Sequence, residues 1–219
     1  MIKYHKIQTL FHRDPENKHK TLLEGVWSEP EFEFLQHNEW VFTEKIDGTN
    51  IRILWEGDNI HFGGKSDNAQ INAKLVAALR AQFDGREDAF AQAFAETFEE
   101  GETPQVCLYG EGYGAGIQKG GGNYCHNQAF VLFDIKIGPW WLQRQDVEDV
   151  ANKLDLDVAP IIGKGTLWDM IAMCKQGFNS LWGDFAAEGI VARPATELCR
   201  RNGKRIITKL KIRDYASQN

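Results

Sequence analysis

The chain has 219 residues, of which 42% are hydrophobic and 26% charged, a balance that fits a globular domain with a substantial core and excludes a disordered or fibrous chain. A net charge of −6 and a pI near 5.6 argue against a bulk polyanion binder. No apolar run approaches the roughly 20 residues of a membrane span, and Met1-Ile2-Lys3-Tyr4-His5-Lys6 carries no secretory apolar segment, so the expectation is a cytoplasmic protein with no membrane partner.

Residues 1–40 mix short apolar runs with charge and predict a short strand near Ile7 to Leu10. Trp40 to Thr43 and Ile51 to Trp55 are rich in β-branched and aromatic residues and flank Asp47-Gly48, which predicts a hairpin holding Lys45 at a strand end. A third strand is expected over Asn59 to Gly63. The stretch Phe62-Gly63-Gly64-Lys65-Ser66 is not a Walker loop, because Asn59 stands where the first glycine of that pattern belongs. From Ala69 to Glu100, Leu75, Leu79, Phe83, Phe90, Phe94 and Phe98 recur at helical spacing and predict two helices parted near Asp84-Gly85, with the phenylalanines in the core.

A strand is predicted over Gln105 to Gly110. Gly110 to Tyr124 follows, with seven glycines in fifteen residues interleaved with Glu111, Tyr113, Ile117, Gln118 and Lys119, and reads as a functional loop rather than a linker. Ala129 to Ile137 is a nearly unbroken apolar run and predicts a buried strand. Helices are expected from about Gln143 to Leu154 and from Thr166 to Cys174, and final strands over Glu188 to Arg193 and Arg205 to Ile212.

Cys107, Cys125, Cys174 and Cys199 form no C-x-x-C pair and the six histidines are dispersed, so zinc spacing is absent and the thiols read as reduced and structural. Charge is unevenly spread. Arg193, Arg200, Arg201, Lys204, Arg205, Lys209, Lys211 and Arg213 face only Glu197 over the same stretch, whereas acidic residues gather in Asp84 to Glu102 and Asp146 to Asp157. With Lys3, Lys6, Arg13, Lys18 and Lys20, this distribution leaves two readings open, a polarised surface with basic ends and an ordinary solvated charged face.

A lysine amine attacks an electrophile only when neutral, which requires desolvation or neighbouring cations. Lys45-Ile46-Asp47-Gly48 resembles the K-x-D-G signature of the covalent nucleotidyltransferase superfamily, which holds DNA ligases, RNA ligases and capping enzymes. The resemblance extends in order along the chain. Lys65 takes the place of the basic residue in the next short motif, Glu111 that of the ribose-binding acid, and Phe133 that of the aromatic residue stacked on the purine. Glu188-Gly189-Ile190-Val191 resembles the E-G-x-V motif, whose glutamate supports the catalytic metal, and Lys209-Leu210-Lys211 the closing K-x-K motif. Lys209 and Lys211 alternate on a strand and project to one face, where they suit the α-phosphate.

Asn50, in Lys45-x-x-Gly48-Thr49-Asn50, and Gly116-Ile117-Gln118-Lys119 resemble the phage-type RNA ligase 2 group, while Asp47 departs from the histidine common there. The resemblance implies an α+β nucleotidyltransferase fold, with two antiparallel sheets flanking an ATP pocket and peripheral helices. It implies an adenylyltransferase domain, expected as the single domain over residues 1–219. The sequence departs from the group in ending eight residues after Lys211, so the expectation is no C-terminal OB-fold or RNA ligase 2-type appendage, and hence a minimal ligase or one needing a partner for that function. The implied activity is ATP-dependent RNA ligation of 5′-phosphate and 3′-hydroxyl ends through a lysyl-AMP intermediate. Lys45, Glu188, Lys209 and Lys211 are the implied catalytic residues. Glu44, Lys45, Ile46, Asn50, Lys65, Glu111, Phe133, Glu188, Lys209 and Lys211 are the implied ATP contacts, and Glu188 the Mg2+ ligand. Two alternatives stand beside this reading: a DNA nick ligase with the same chemistry, and a nucleotide- or nucleic-acid-binding module without turnover.

Overall fold

The computed structural model describes residues 3–99, 102 and 105–215. Along the chain, alternating apolar and polar residues build strands, and apolar residues at helical spacing build the helices between them. The elements are β1 (Gln8–Thr9), β2 (Phe11–Arg13), β3 (Leu22–Trp27), α1 (Pro30–Phe34), β4 (Trp40–Lys45), β5 (Thr49–Trp55), β6 (Ile60–Gly63), α2 (Ala73–Phe83), α3 (Glu87–Ala93) and β7 (Val106–Gly114). They continue with α4 (Gly121–Tyr124), β8 (Gln128–Ile137), β9 (Trp140–Trp141), α5 (Arg144–Lys153), β10 (Ile161–Gly165), α6 (Leu167–Gln176), β11 (Gly189–Pro194) and β12 (Thr208–Lys211), followed by a 3₁₀ turn over Ile212–Asp214. The fold is α+β. The chain divides into two compact units, one of Met1–Tyr4 with Asp47–Ala159 and the other of His5–Ile46 with Pro160–Asn219.

The first unit is built on a five-stranded antiparallel sheet in the order β6-β5-β7-β8-β9. Ile51, Ile53, Val106, Leu108, Phe130, Leu132 and Ile135 of the sheet pack with Leu75, Leu79 and Phe83 of α2, with Phe90 and Phe94, and with Val147 and Val150 of α5. The phenylalanine stripe is therefore core, as expected from its spacing. Trp55 stacks on Phe94, ring centroids 5.8 Å apart and planes at 21°.

The second unit carries a five-stranded sheet in the order β1-β12-β11-β4-β10 and a two-stranded ribbon, β2-β3. All neighbours in the larger sheet are antiparallel except β1, which runs parallel to β12. Strand β4 alternates residue by residue, with Trp40, Phe42 and Glu44 buried on one face and Val41, Thr43 and Lys45 half-buried on the other. The buried face meets Leu167, Met170, Ile171 and Cys174 of α6. Thr166 begins that helix with a capping box, in which Thr166 and Asp169 satisfy each other's backbone N–H groups. After β12, Asp214 accepts two bonds of 2.9 Å from the Arg13 guanidinium.

Two expectations change. The Asp47-Gly48 segment is not a hairpin turn, since β4 pairs with β10 and β11 whereas β5 pairs with β6 and β7. A two-residue hairpin of this sequence needs a positive φ at both central residues, and neither Asp47 nor Gly48 has one. Gly48 is required for a different reason: a Cβ there would lie 2.3 Å from the Gly112 carbonyl oxygen. The glycine-rich segment also begins as strand rather than loop, because β7 continues to Gly114. At Gly110 a Cβ would lie 2.2 Å from the Phe130 ring, so close packing rather than mobility excludes a side chain. Of the predicted helical stretch, residue 100 lies outside the described residues.

Candidate active site

In the second unit a single rung crosses three strands. Lys45 at the end of β4 pairs with Gly189 at the start of β11, and Gly189 pairs with Lys211 at the end of β12. Two residues along the same face, Thr43, Val191 and Lys209 form the next same-facing rung. A Cβ on Gly189 would lie 2.1 Å from the Leu210 carbonyl oxygen, so only glycine allows this rung to close. Glu188, immediately before it, then sits between the two lysines.

Its carboxylate is shared. The Lys45 ammonium donates to Glu188 Oε2 and the Lys211 ammonium to Oε1, each at 2.5 Å. The three side chains are 19%, 8% and 18% exposed, so the group is reachable yet mostly withdrawn from water. Two ammonium groups on one carboxylate, with Lys209 on the next same-facing rung, leave an excess of positive charge at the sheet end, and charge-assisted hydrogen bonds fix the Lys45–Glu188–Lys211 geometry. Such an arrangement suits a multiply charged anion.

Glu44, one of the implied ATP contacts, lies on the opposite face of β4 from Lys45 and is 2% exposed. Its carboxylate accepts from the Ser180 hydroxyl at 2.5 Å and from the Leu181 backbone N–H at 2.9 Å, so it pins the segment leading toward Glu188. Ile46, next to Lys45, is buried.

The other expected contacts belong to the first unit. Asn50 on β5 and Glu111 on β7 face each other across the ladder. Asn50 Oδ1 is buried without a hydrogen-bond partner among the described residues, an acceptor that a ligand donor would satisfy. Phe133 is the extra residue of a β-bulge, where the register passes from Tyr109↔Asp134 to Gly110↔Leu132. Tyr4 stands edge-on to Phe133 at 5.1 Å and donates its hydroxyl to Asp134 at 2.6 Å. Burial pushes the neighbouring Tyr109 hydroxyl well above the usual tyrosine range. Lys65 is exposed on the loop after β6, whose Gly64 carbonyl and Asp67 carboxylate accept from the buried Arg52 at 2.7 and 2.9 Å. Sequence reading did not single out Tyr4, Arg52 or Ser180. A buried arginine in an otherwise apolar strand, Ile51-Arg52-Ile53-Leu54, was the available signal for one of them.

The basic C-terminal segment is less open than its composition implies. Arg193 and Arg205 lie 3.6 and 3.7 Å from Glu197, and Arg200 lies 3.1 Å from both Glu29 and Glu31. Arg201, Lys204 and Arg213 are exposed. Among the described residues no group of three or more His, Cys, Asp or Glu side chains could hold a metal ion, and no helix is long and apolar enough to cross a membrane.

Two ammonium groups sharing one carboxylate at the end of a sheet form a cationic site of the kind that suits a phosphate group. Residues 38–211 match the RNA ligase family, and the chain belongs to that family. Its fold is similar to that of a Naegleria gruberi RNA ligase solved with pyrophosphate, with a TM-score of 0.67 and 19% identity over all of this chain and 58% of the other. Variants of the same Naegleria enzyme solved with ATP and Mn and with AMP and Mn each give a TM-score of 0.66 at 18% identity, with the same coverage. The chain thus spans 58% of the length of these relatives.

Proposed function

We propose that this chain is the adenylyl-transferring part of an ATP-dependent RNA ligase. The observation that carries the reading is the Lys45–Glu188–Lys211 group at the end of β4, β11 and β12. Lys45 Nζ forms a bond to the α-phosphorus of ATP, the bond from that phosphorus to the bridging oxygen breaks, and pyrophosphate leaves. Glu188 Oε2, at hydrogen-bond distance from Nζ, is the nearest acceptor for the amine proton. Lys211 and Lys209 neutralise charge on the transferred phosphate. AMP then passes from Lys45 to a 5′-phosphate end, and a 3′-hydroxyl displaces it to close the strand.

In this proposal Asn50, Glu111 and Phe133 serve the nucleoside, Lys65 the phosphates, and Ile46 and Glu44 support the nucleophile strand. A divalent ion fits a site with one carboxylate, because Mg2+ takes most of its ligands from water and phosphate; when bound, it supplies charge neutralisation on the phosphates. Glu188 is the side chain that would hold it. The two units together form the proposed adenylyltransferase domain, acting in the cytoplasm in RNA repair, with any further segment or partner contributing to engagement of the ends.

Incubation with α-labelled ATP tests this reading. Wild type is expected to retain label through an acid-labile phosphoramide bond, and Lys45→Ala to lose it. Absence of the adduct in wild type, or its persistence in Lys45→Ala, overturns the assignment. Sealing of nicked RNA, DNA and hybrid duplexes then reports strand preference, with RNA expected to be favoured.

A further inference from the structure

Arg52 is charged, 1% exposed and set in the interior strand β5, where a cation is costly unless it is fully engaged. Its engagement is specific. Nε donates to the Gly64 carbonyl oxygen at 2.7 Å and an Nη to the Asp67 carboxylate at 2.9 Å. These two acceptors bracket Lys65 and Ser66, so one planar guanidinium grips both ends of the short loop that presents the exposed Lys65. Gly64 is itself confined, since a Cβ there would lie 2.9 Å from the Ala69 Cβ. The loop is thereby held to the sheet through β5, the strand that also carries Asn50.

We infer that Arg52 is a positioning residue for Lys65: it fixes the Gly64–Asp67 loop so that the Lys65 ammonium is presented in one place to the nucleotide phosphates. The inference rests on the proposed nucleotidyl transfer, and it assigns Arg52 no contact with ATP. Asp67, with its side chain 77% exposed, is the weaker of the two anchors, because water screens that half of the pair. The Gly64 bond is the stronger, being buried and charge-assisted. Lysine at position 52 keeps the charge but is a point donor and cannot span both acceptors.

The test is a double-mutant cycle in single-turnover adenylylation of the full chain, measured against ATP concentration. Arg52→Lys and Lys65→Ala are each expected to lower the rate at limiting ATP by about tenfold, the scale of coupled or slightly misplaced groups. With Lys65 already alanine, adding Arg52→Lys is expected to change that rate by less than about twofold. A purely structural role would lower the melting temperature and multiply the losses instead; full multiplication in the cycle overturns the inference. Normal ATP dependence in Lys65→Ala also overturns it. Asp67→Ala, which removes only the exposed anchor and keeps the buried Gly64 bond, provides the same cycle should Arg52→Lys fail to fold, with a smaller loss that again vanishes in the Lys65→Ala background. A wild-type chain that forms no lysyl-AMP sinks the proposed function and this inference together. An adduct with independent losses sinks the inference alone.

Discussion

Glu188→Gln removes one negative charge from between two ammonium groups while keeping the side-chain volume. Each hydrogen bond from Lys45 and Lys211 to the carboxylate is charge-assisted, and such bonds contribute about 1.5–3 kcal/mol. Because the lysines retain 19% and 18% exposure, water offsets part of that loss, and a net destabilisation of about 2 kcal/mol is expected. For a chain of this size that corresponds to a fall of about 4–8 °C in Tm. The variant therefore stays folded at 25 °C, since domains have about 5–15 kcal/mol in hand. The two ammonium groups now face each other without a counter-charge, so added salt is expected to recover part of the lost Tm. Adenylylation is expected to slow far more, by about 10²–10³-fold, the cost of removing one preorganised electrostatic contact. Scanning calorimetry at low and high salt and single-turnover labelling with ATP measure the two effects. A folded Glu188→Gln chain adenylylated within about threefold of wild type would refute the assignment.

Thr166→Ala removes the hydroxyl of the α6 capping box and is expected to cost about 1 kcal/mol, or about 2–4 °C in Tm. The Thr166 hydroxyl and backbone N–H hold the Asp169 carboxyl below the ordinary carboxylate range. A depressed folded-state value stabilises the fold above the ordinary range and loses that contribution as pH falls through the folded value, so Asp169→Asn should flatten the acid limb of a stability–pH curve. Thiol labelling in native buffer should modify exposed Cys199 first and half-buried Cys125 more slowly. Cys107 and Cys174 should react only on unfolding, since burial raises both thiols, Cys174 to about 12. Gly48→Ala forces a methyl against the Gly112 carbonyl and should cost about 1–3 kcal/mol, read as a lower urea midpoint with unchanged slope.

Much of the fold was legible because its signals are local. Helical spacing of Leu75, Leu79 and Phe83 located α2, the stretch from Thr166 to Cys174 located α6, and the apolar run ending at Ile137 located β8. The hairpin expectation failed because strand propensity says where a strand lies and not which strand it joins. Asp47-Gly48 carries a hairpin signature, yet the chain leaves one sheet there and enters another. The partners of Glu44 were not legible for a related reason. Adjacency to Lys45 in sequence places the two side chains on opposite faces of β4, and the buried face belongs to Ser180 and Leu181. Arg193, Arg200 and Arg205 read as an open basic surface until distant Glu29 and Glu31, and nearby Glu197, were seen to pair with them.

The sequence by itself determined the ordered set of candidate site residues, their residue types, and the alternation that turns Lys209 and Lys211 to one face of β12. Those properties follow from covalent order and from the two-residue period of a strand. Only the tertiary structure decided that Lys45, Gly189 and Lys211 share a rung, because ladder register depends on packing across a whole sheet. It alone set Glu188 between two ammonium groups and put a buried arginine behind the Lys65 loop. Residues 143 positions apart meet there at 2.5 Å, a contact that no local pattern encodes.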